Sequence, residues 1–144
     1  MRRSYKLMLL FIAVLILSIP ALAESSYTVN ITADKFLGNY LVNQSGFALY
    51  YFSNDGSASG SSTCYDDCAT KWPPFYAETL ILPDNLRTVD FAAITRTDGS
   101  KQTTFKGWPL YLYSKDQAPG DIFGNGREDN LWHVIDPQEQ PQLF

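Results

Sequence analysis

Histidine, cysteine and methionine are scarce in this chain of 144 residues, which has one, two and two of them. The only histidine is His133, and the methionines are Met1 and Met8. The chain also has no Gly-x-Ser-x-Gly elbow, no zinc-protease histidine motif and no phosphate-binding loop. A serine–histidine triad would have to recruit His133 without any supporting motif. The sequence therefore does not indicate an ordinary hydrolase.

Basic residues are outnumbered as well, with 11 Lys and Arg against 15 Asp and Glu, for a net charge of -4. Phosphate binding needs clustered Lys and Arg, so we expect no nucleic-acid partner.

No segment after the N-terminal region has a long apolar stripe at helical spacing, so the sequence does not indicate a helical fold.

The N-terminal segment has the pattern of a secretory signal peptide, which we assign to residues 1–23. Three basic residues precede an apolar run over 7–17, and Ala21-Leu22-Ala23 forms a cleavage site before Glu24. Removal of this segment changes the net charge from -4 to -7, because it contains three basic and no acidic residues. We expect a secreted or extracytoplasmic protein, in the periplasm or at the cell surface, with membrane contact only if the segment stays uncleaved. No cysteine follows the cleavage site directly, so lipidation there is not expected.

The remaining sequence predicts a single, mostly β domain at 24–144, built of short antiparallel strands and long ordered loops. Strands are indicated by "YTVNI", "NYLVNQSGFALYYFS", "FAAITRTDGSKQTTF", "GWPLYLYS" and "LWHVID". Asp98-Gly99 is the strongest hairpin signal. Only "CYDDCATKW" favours a turn or two of helix.

An internal duplication divides this domain into two related halves. "GFALYYFSND" from Gly46 and "GWPLYLYSKD" from Gly107 are offset by 61 residues and share Gly, Leu, Tyr, Ser and Asp in register. Trp72 and Trp132 are offset by 60. We assign the pseudo-repeats to about 27–76 and 91–137, joined around 77–90. Two copies are too few for a solenoid, so a two-lobed or pseudo-twofold domain is expected.

These residues resemble a family of secreted or lipoprotein repeats of unknown function that is marked by a Tyr-x-aromatic-x-x-Asp motif. The first match is Tyr50, Phe52 and Asp55, and the second is Tyr111, Tyr113 and Asp116. The resemblance includes "CYDDCATKWPPF", "TRTDGSKQTTFKGWPLYLYSKDQAPGD" and "LWHV", and covers nearly the whole chain after residue 23. It implies an exported repeat domain and no particular activity.

The motif residues have a structural and a catalytic interpretation. On a strand, Tyr50 and Phe52 point to one face and Leu49 and Tyr51 to the other, so both faces are expected to be covered. We favour tyrosines packed in the core and aspartates that hold the following turns. The residues concerned are Tyr50, Phe52, Asp55, Tyr111, Tyr113, Asp116, Trp72 and Trp132. The catalytic alternative places Asp55 and Asp116 together as a carboxylate pair for hydrolysis.

Cys64 and Cys68 form an even pair in an exported chain, which favours a disulfide. The alternative is an extracytoplasmic copper or redox accessory protein that uses Cys64, Cys68 and His133 as ligands. As the sole histidine, His133 is more often a strand residue whose side chain already has a partner. We therefore expect no metal and no cofactor.

Two further patterns are weaker. The loop over 116–129 contains several oxygen-bearing side chains that suit calcium, namely Asp116, Asp121, Asn125, Glu128 and Asp129. Their spacing does not match an EF-hand, and we favour a solvated loop. Asn30 and Asn43 begin N-glycosylation tripeptides.

From these observations we expect a non-enzymatic interaction domain whose partner is a protein or glycan at the cell surface. Trp72, Trp108, Tyr50 and Tyr111 would be its structural anchors, and the long loops would be its contact surface.

Overall fold

A computed structural model describes residues 27–55, 60–139 and 141. The predicted signal peptide at 1–23 and its cleavage site lie outside this part of the chain. Over the residues that are described, no helix is both long and apolar enough to cross a membrane.

In the residues that the structure describes, the fold consists of seven short strands and two short helices. The strands are β1 (Val29–Asp34), β2 (Gly38–Asn43), β3 (Tyr50–Phe52), β4 (Phe91–Thr95), β5 (Lys101–Phe105), β6 (Trp108–Pro109) and β7 (Trp132–Val134). The helices are α1 (Asp67–Lys71) and the irregular turn α2 (Arg127–Asn130), and 3-10 turns cover Ser53–Asp55 and Thr88–Asp90. The pairs that these strands form are antiparallel, and over the described ranges they make three sheets ordered β1-β2, β3-β7 and β4-β5-β6. The prediction of a mostly β domain is confirmed.

The hairpin predicted at Asp98-Gly99 connects β4 and β5. Gly99 has a φ of 86°, which a residue with a side chain rarely adopts, and Asp98 Oδ1 accepts a hydrogen bond from the Ser100 amide at 2.9 Å. By contrast, "GWPLYLYS" does not form one continuous strand, because β6 ends at Pro109, which has no amide hydrogen to donate. Tyr111, two residues later, makes separate bridges to Tyr50 and Pro74.

The two halves of the sequence are interlocked rather than placed side by side. Strand β3 of the first half pairs with β7 of the second half, with Tyr50 opposite Val134. The equivalent residue of the second half, Tyr111, bridges Pro74 of the first half. Each copy of the aromatic strand therefore pairs with the tryptophan-containing segment of the other copy.

The two halves are also joined by backbone hydrogen bonds, which form two closed rings of three bonds each. In the first ring Leu49 donates to Leu41, Leu41 to Ile135 and Ile135 to Leu49, at 2.9, 2.9 and 3.1 Å. In the second ring Leu110 donates to Thr103, Thr103 to Phe75 and Phe75 to Leu110, at 2.9, 2.8 and 2.8 Å. Ile135 and Phe75 are the members that come from the opposite half, so both rings join the two halves.

Two hydrophobic clusters lie on opposite faces of the aromatic strand. Leu49 and Tyr51 belong to a cluster that also contains Trp108. Tyr50, between them in sequence, belongs to a second cluster with Trp72 and Trp132. The strand is covered on both faces, as the alternation of its side chains predicts.

Candidate functional site

Four buried aromatic residues form the centre of the second cluster. Tyr50 and Tyr111 exchange both backbone hydrogen bonds at 2.9 Å, so they lie opposite each other as a hydrogen-bonded antiparallel pair. The rings of Trp72 and Trp132 stack with centroids 3.9 Å apart and planes within 3°. Tyr50 meets Trp72 edge-on at 5.4 Å, and Tyr111 meets Trp132 in the same way at 5.0 Å. All four side chains are 0% exposed.

The tyrosine of each copy of the motif hydrogen-bonds the aspartate of the other copy. The Tyr50 hydroxyl donates to Asp116 Oδ2 at 2.6 Å, and the Tyr111 hydroxyl donates to Asp55 Oδ2 at 2.6 Å. Asp55 and Asp116 are thus each bound by a tyrosine, which is a different arrangement from the carboxylate pair considered as a catalytic alternative.

The middle aromatic residues of the motif follow the same rule. Phe52 of the first copy stacks on Trp132 of the second half, with centroids 4.3 Å apart. Tyr113 of the second copy stacks on Trp72 of the first half at 4.2 Å. The six-residue motif therefore contacts the opposite half through its tyrosine, its middle aromatic residue and its aspartate.

Each aspartate also binds a residue further along its own half of the chain. Asp55 Oδ1 accepts hydrogen bonds from the amide and the hydroxyl of Thr63, both at 2.7 Å. Asp116 Oδ1 accepts one from the Phe123 amide at 3.0 Å. These bonds connect residues eight and seven positions apart, so Asp55 holds Thr63 in place and Asp116 holds the loop that ends at Phe123.

The protonation of these groups follows from their burial. Burial raises the pKa of Asp55 and of Asp116 above the ordinary value, although their hydrogen bonds act in the opposite direction. Burial and the nearby aspartates raise the pKa of Tyr50 and of Tyr111. The tyrosines therefore keep their protons at neutral pH and act as hydrogen-bond donors.

The backbone of Gly124 packs directly against the buried aromatic rings. A Cβ atom at Gly124 would lie 2.8 Å from the rings of Trp72 and Tyr50. The Gly124 amide also donates to the Tyr50 hydroxyl at 3.3 Å. The absence of a side chain at Gly124 is thus required by the close approach of its backbone.

Glu128 binds the indole nitrogens of the tryptophan stack. Its Oε2 accepts a hydrogen bond from Trp132 Nε1 at 2.9 Å, its Oε1 accepts one from Trp72 Nε1 at 3.4 Å, and Lys71 forms an ion pair with it. Partial burial raises the pKa of Glu128, but the bonds from Lys71 and the two indoles outweigh burial, so the pKa lies below its ordinary value. The sequence suggested Glu128 only as a candidate calcium ligand.

A buried arginine supports the other end of the site, and nothing in the sequence pattern indicated it. Arg96 is 3% exposed. It donates to Ser62 Oγ and Gln102 Oε1, both at 2.7 Å, and to the Cys64 carbonyl. Tyr111 donates its only hydroxyl proton to Asp55, so Ser62, 2.7 Å away, donates to Tyr111. Arg96 thus reaches the tyrosine–aspartate pair through Ser62.

The disulfide between Cys64 and Cys68 is confirmed, with Cα atoms 5.2 Å apart at the start of α1. His133 lies on β7, where its Nε2 is 2.7 Å from the Asn130 carbonyl and its ring stacks on Tyr51. The alternative metal site is not assembled here, because both sulfur atoms are bonded to each other. In the described part of the chain no group of three His, Cys, Asp or Glu residues is placed to hold a metal ion.

The oxygen atoms of the 116–129 loop are largely used within the protein. Asp121 Oδ2 accepts from the amides of Gln117 and Ala118 at 2.9 Å, and Asn125 Oδ1 accepts from the Val134 amide at 3.0 Å. With Asp116 and Glu128 bound as described above, these groups stabilise the loop internally. They do not converge on a common point where calcium would bind.

Exposed apolar side chains lie elsewhere, in loops and turns. Those with large exposed areas are Phe36, Leu37, Tyr76, Ile81, Val89 and Phe123. Beside one of these loops is an open cleft of about 430 Å³, lined by Thr28, Asn43, Gln44, Ser45, Phe75, Tyr76, Ala77, Glu78 and Thr79.

Comparison with known protein families agrees with the duplication. A family model described as a secreted repeat of unknown function matches the chain twice, at residues 31–76 and 92–136. No curated protein and no solved structure matches the chain.

Proposed function

Because this chain belongs to the family of secreted repeats of unknown function, we propose that it is an exported, non-enzymatic binding module. The duplicated motif forms its scaffold, and the loops contact a partner at the cell surface. Export by removal of residues 1–23 is part of the proposal. An intact mass equal to that of a chain beginning at Glu24 would support this part of the proposal. A mass equal to that of a chain that still includes residues 1–23 would contradict it.

The position of the exposed apolar side chains is the observation that carries this proposal. Phe36 is 87% exposed and Val89 is 76% exposed, although each costs free energy in water. Neither lies in a strand, and the same is true of Leu37, Tyr76, Ile81 and Phe123. Binding residues are found disproportionately on loops that a rigid scaffold positions, and these side chains lie on such loops.

The motif itself is unsuited to reaction with a substrate. Tyr50 and Tyr111 are 0% exposed, and Asp55 and Asp116 are at most 8% exposed. Each of these groups already has a hydrogen-bond partner inside the protein. A substrate could reach them only if the interlocked core opened, so structural support is the role that their geometry favours.

The proposal is tested by retention of the purified exported protein on intact cells of the organism that produces it. Phe36→Ser, Tyr76→Ser and Phe123→Ser change three separate loops, and at least one is expected to lower the apparent affinity about tenfold or more. Lys115→Ala, at another exposed position, is the matched control and should leave retention unchanged. The proposal would be contradicted if the cells did not retain the parent protein. It would also be contradicted if all three loop variants were retained as well as the parent protein.

A further inference from the structure

We propose that the cleft between the 43–45 turn and the 75–79 segment binds a neutral carbohydrate. The inference rests on the proposed binding function and names its ligand class. The cleft volume of about 430 Å³ lies within the usual range of small-molecule sites, which is roughly 300–1,000 Å³.

An exposed aromatic ring provides the apolar part of this site. Tyr76 lies in the cleft wall with 43% of its surface exposed, next to the buried Phe75. A tyrosine ring has a flat apolar face and loses little conformational entropy when it is fixed. The C–H face of a pyranose ring is a flat surface of matching size.

Four polar side chains line the same cleft as that ring. Within the part of the chain that the structure describes, no hydrogen bond joins the side chains of Gln44, Ser45, Glu78 or Thr79 to another residue. They offer an amide, two hydroxyls and a carboxylate on the rim of one cleft. Sugar hydroxyls both donate and accept hydrogen bonds, and this mixture of donors and acceptors complements them.

The backbone that carries these groups is fixed before any ligand binds. The Phe75 amide donates a hydrogen bond to the Leu110 carbonyl at 2.8 Å, and the Ala77 amide donates one to Thr103 Oγ1 at 3.0 Å. On the opposite wall, Asn43 Oδ1 accepts hydrogen bonds from the amides of Ser45 and Phe47, both at 3.0 Å. A pre-formed site reduces the entropy lost on binding, which is important for weak, strongly hydrated ligands such as sugars.

Charge restricts the ligand further. The cleft contains the Glu78 carboxylate and no basic residue, and the whole chain has a net charge of -4. A sulphated or uronic-acid sugar would be repelled, since like charges disfavour association. A neutral sugar avoids that cost.

The test is an NMR titration of the full protein with four neutral tetrasaccharides, built of glucose, mannose, galactose or N-acetylglucosamine. At least one is expected to shift the amide signals of 43–45 and 75–79 selectively. Tyr76→Ala should weaken that binding at least tenfold, whereas Tyr76→Phe, which keeps the ring, should retain most of it. Lys115→Ala changes an exposed residue outside the cleft and should leave it unchanged. Absence of selective shifts with all four sugars, or unchanged binding by Tyr76→Ala, would overturn the inference.

Competition by an excess of the four tetrasaccharides separates this inference from the proposed function. Loss of retention on intact cells when the sugars are added supports carbohydrate recognition. Undiminished retention would overturn it and leave the binding module standing with a different partner. Failure of the cells to retain the protein without added sugar would instead contradict the proposed function itself.

Discussion

The hydroxyl of Tyr50 donates a hydrogen bond of 2.6 Å to the carboxylate of Asp116, which lies 66 residues later in the other half of the duplication. Its counterpart joins Tyr111 to Asp55. The two bonds exchange partners between the halves, so the repeated motif connects two copies of the fold to each other.

This exchange predicts a specific pattern of energetic coupling. Tyr50→Phe should destabilise the protein by about 1.5–3 kcal/mol, because it removes a hydrogen bond to a buried charged group. A double-mutant cycle with Asp116→Asn should give a coupling energy of about 1 kcal/mol or more, measured by chemical denaturation. The cycle of Tyr50→Phe with Asp55→Asn is the control and should give a smaller coupling. A larger coupling energy for Tyr50 with Asp55 than for Tyr50 with Asp116 would refute pairing between the halves.

Interlocked halves should also depend on each other for folding. A cut between Asp84 and Asn85, which are both exposed, separates the repeats and leaves each aromatic strand without its partner from the other half. We expect each fragment alone to be unfolded by circular dichroism and NMR, because neither contains a complete core. An equimolar mixture should regain the tertiary signal of the intact chain. A fragment with a dispersed NMR spectrum on its own would disprove this dependence.

Glu128 should contribute to stability through the tryptophan stack. Glu128→Ala removes the acceptor of both indole N–H groups and is expected to cost about 2 kcal/mol in the free energy of unfolding. The near-ultraviolet circular dichroism of the stacked indoles should change as well. Glu78→Ala removes an exposed carboxylate that makes no hydrogen bond in the described structure and should alter neither quantity. Equal effects of the two substitutions would show that Glu128 does not support the stack.

Backbone strain next to Glu128 predicts a substitution that stabilises the protein rather than destabilising it. Asp129 has a φ of 55° and follows Glu128 at 53°, both in the left-handed region. Asp129→Gly should stabilise the protein by up to about 1 kcal/mol, since relief of the Cβ penalty exceeds the added chain entropy. Lys115→Gly, at an exposed turn position outside the positive-φ set, should destabilise it. Thermal denaturation of both variants tests the claim, and a lower midpoint for Asp129→Gly would contradict it.

The raised pKa of Asp55 predicts how stability depends on pH. The folded state holds this proton more tightly than the unfolded chain, whose pKa is near 3.8. The contribution of Asp55 to stability is therefore greatest below pH 3.8 and declines as the pH rises through the folded pKa. The destabilisation caused by Asp55→Asn should consequently be larger at pH 4 than at pH 7. Chemical denaturation at both pH values measures it, and a smaller effect at pH 4 would contradict a raised pKa.

Much of the fold could be predicted from local sequence. The β hairpin at Asp98-Gly99, the short helix near Cys68 and the disulfide all depend on residues close together in the chain. The alternation of Leu49, Tyr50 and Tyr51 correctly indicated a strand covered on both faces. The supporting roles of Glu128 and Arg96 were not predicted, because their partners lie in distant segments and no local pattern identifies them.

The sequence by itself determined that the domain is duplicated and mostly β, because strand alternation, turn residues and a repeat offset of 61 are all written along the chain. Only the tertiary structure decided which copy contacts which. Either pairing of Tyr50 and Tyr111 with Asp55 and Asp116 is compatible with the same repeat. The choice depends on the path of the chain, which places β3 beside β7 and Tyr111 beside Pro74. Burial and hydrogen bonding between distant segments therefore join the two halves into a single core.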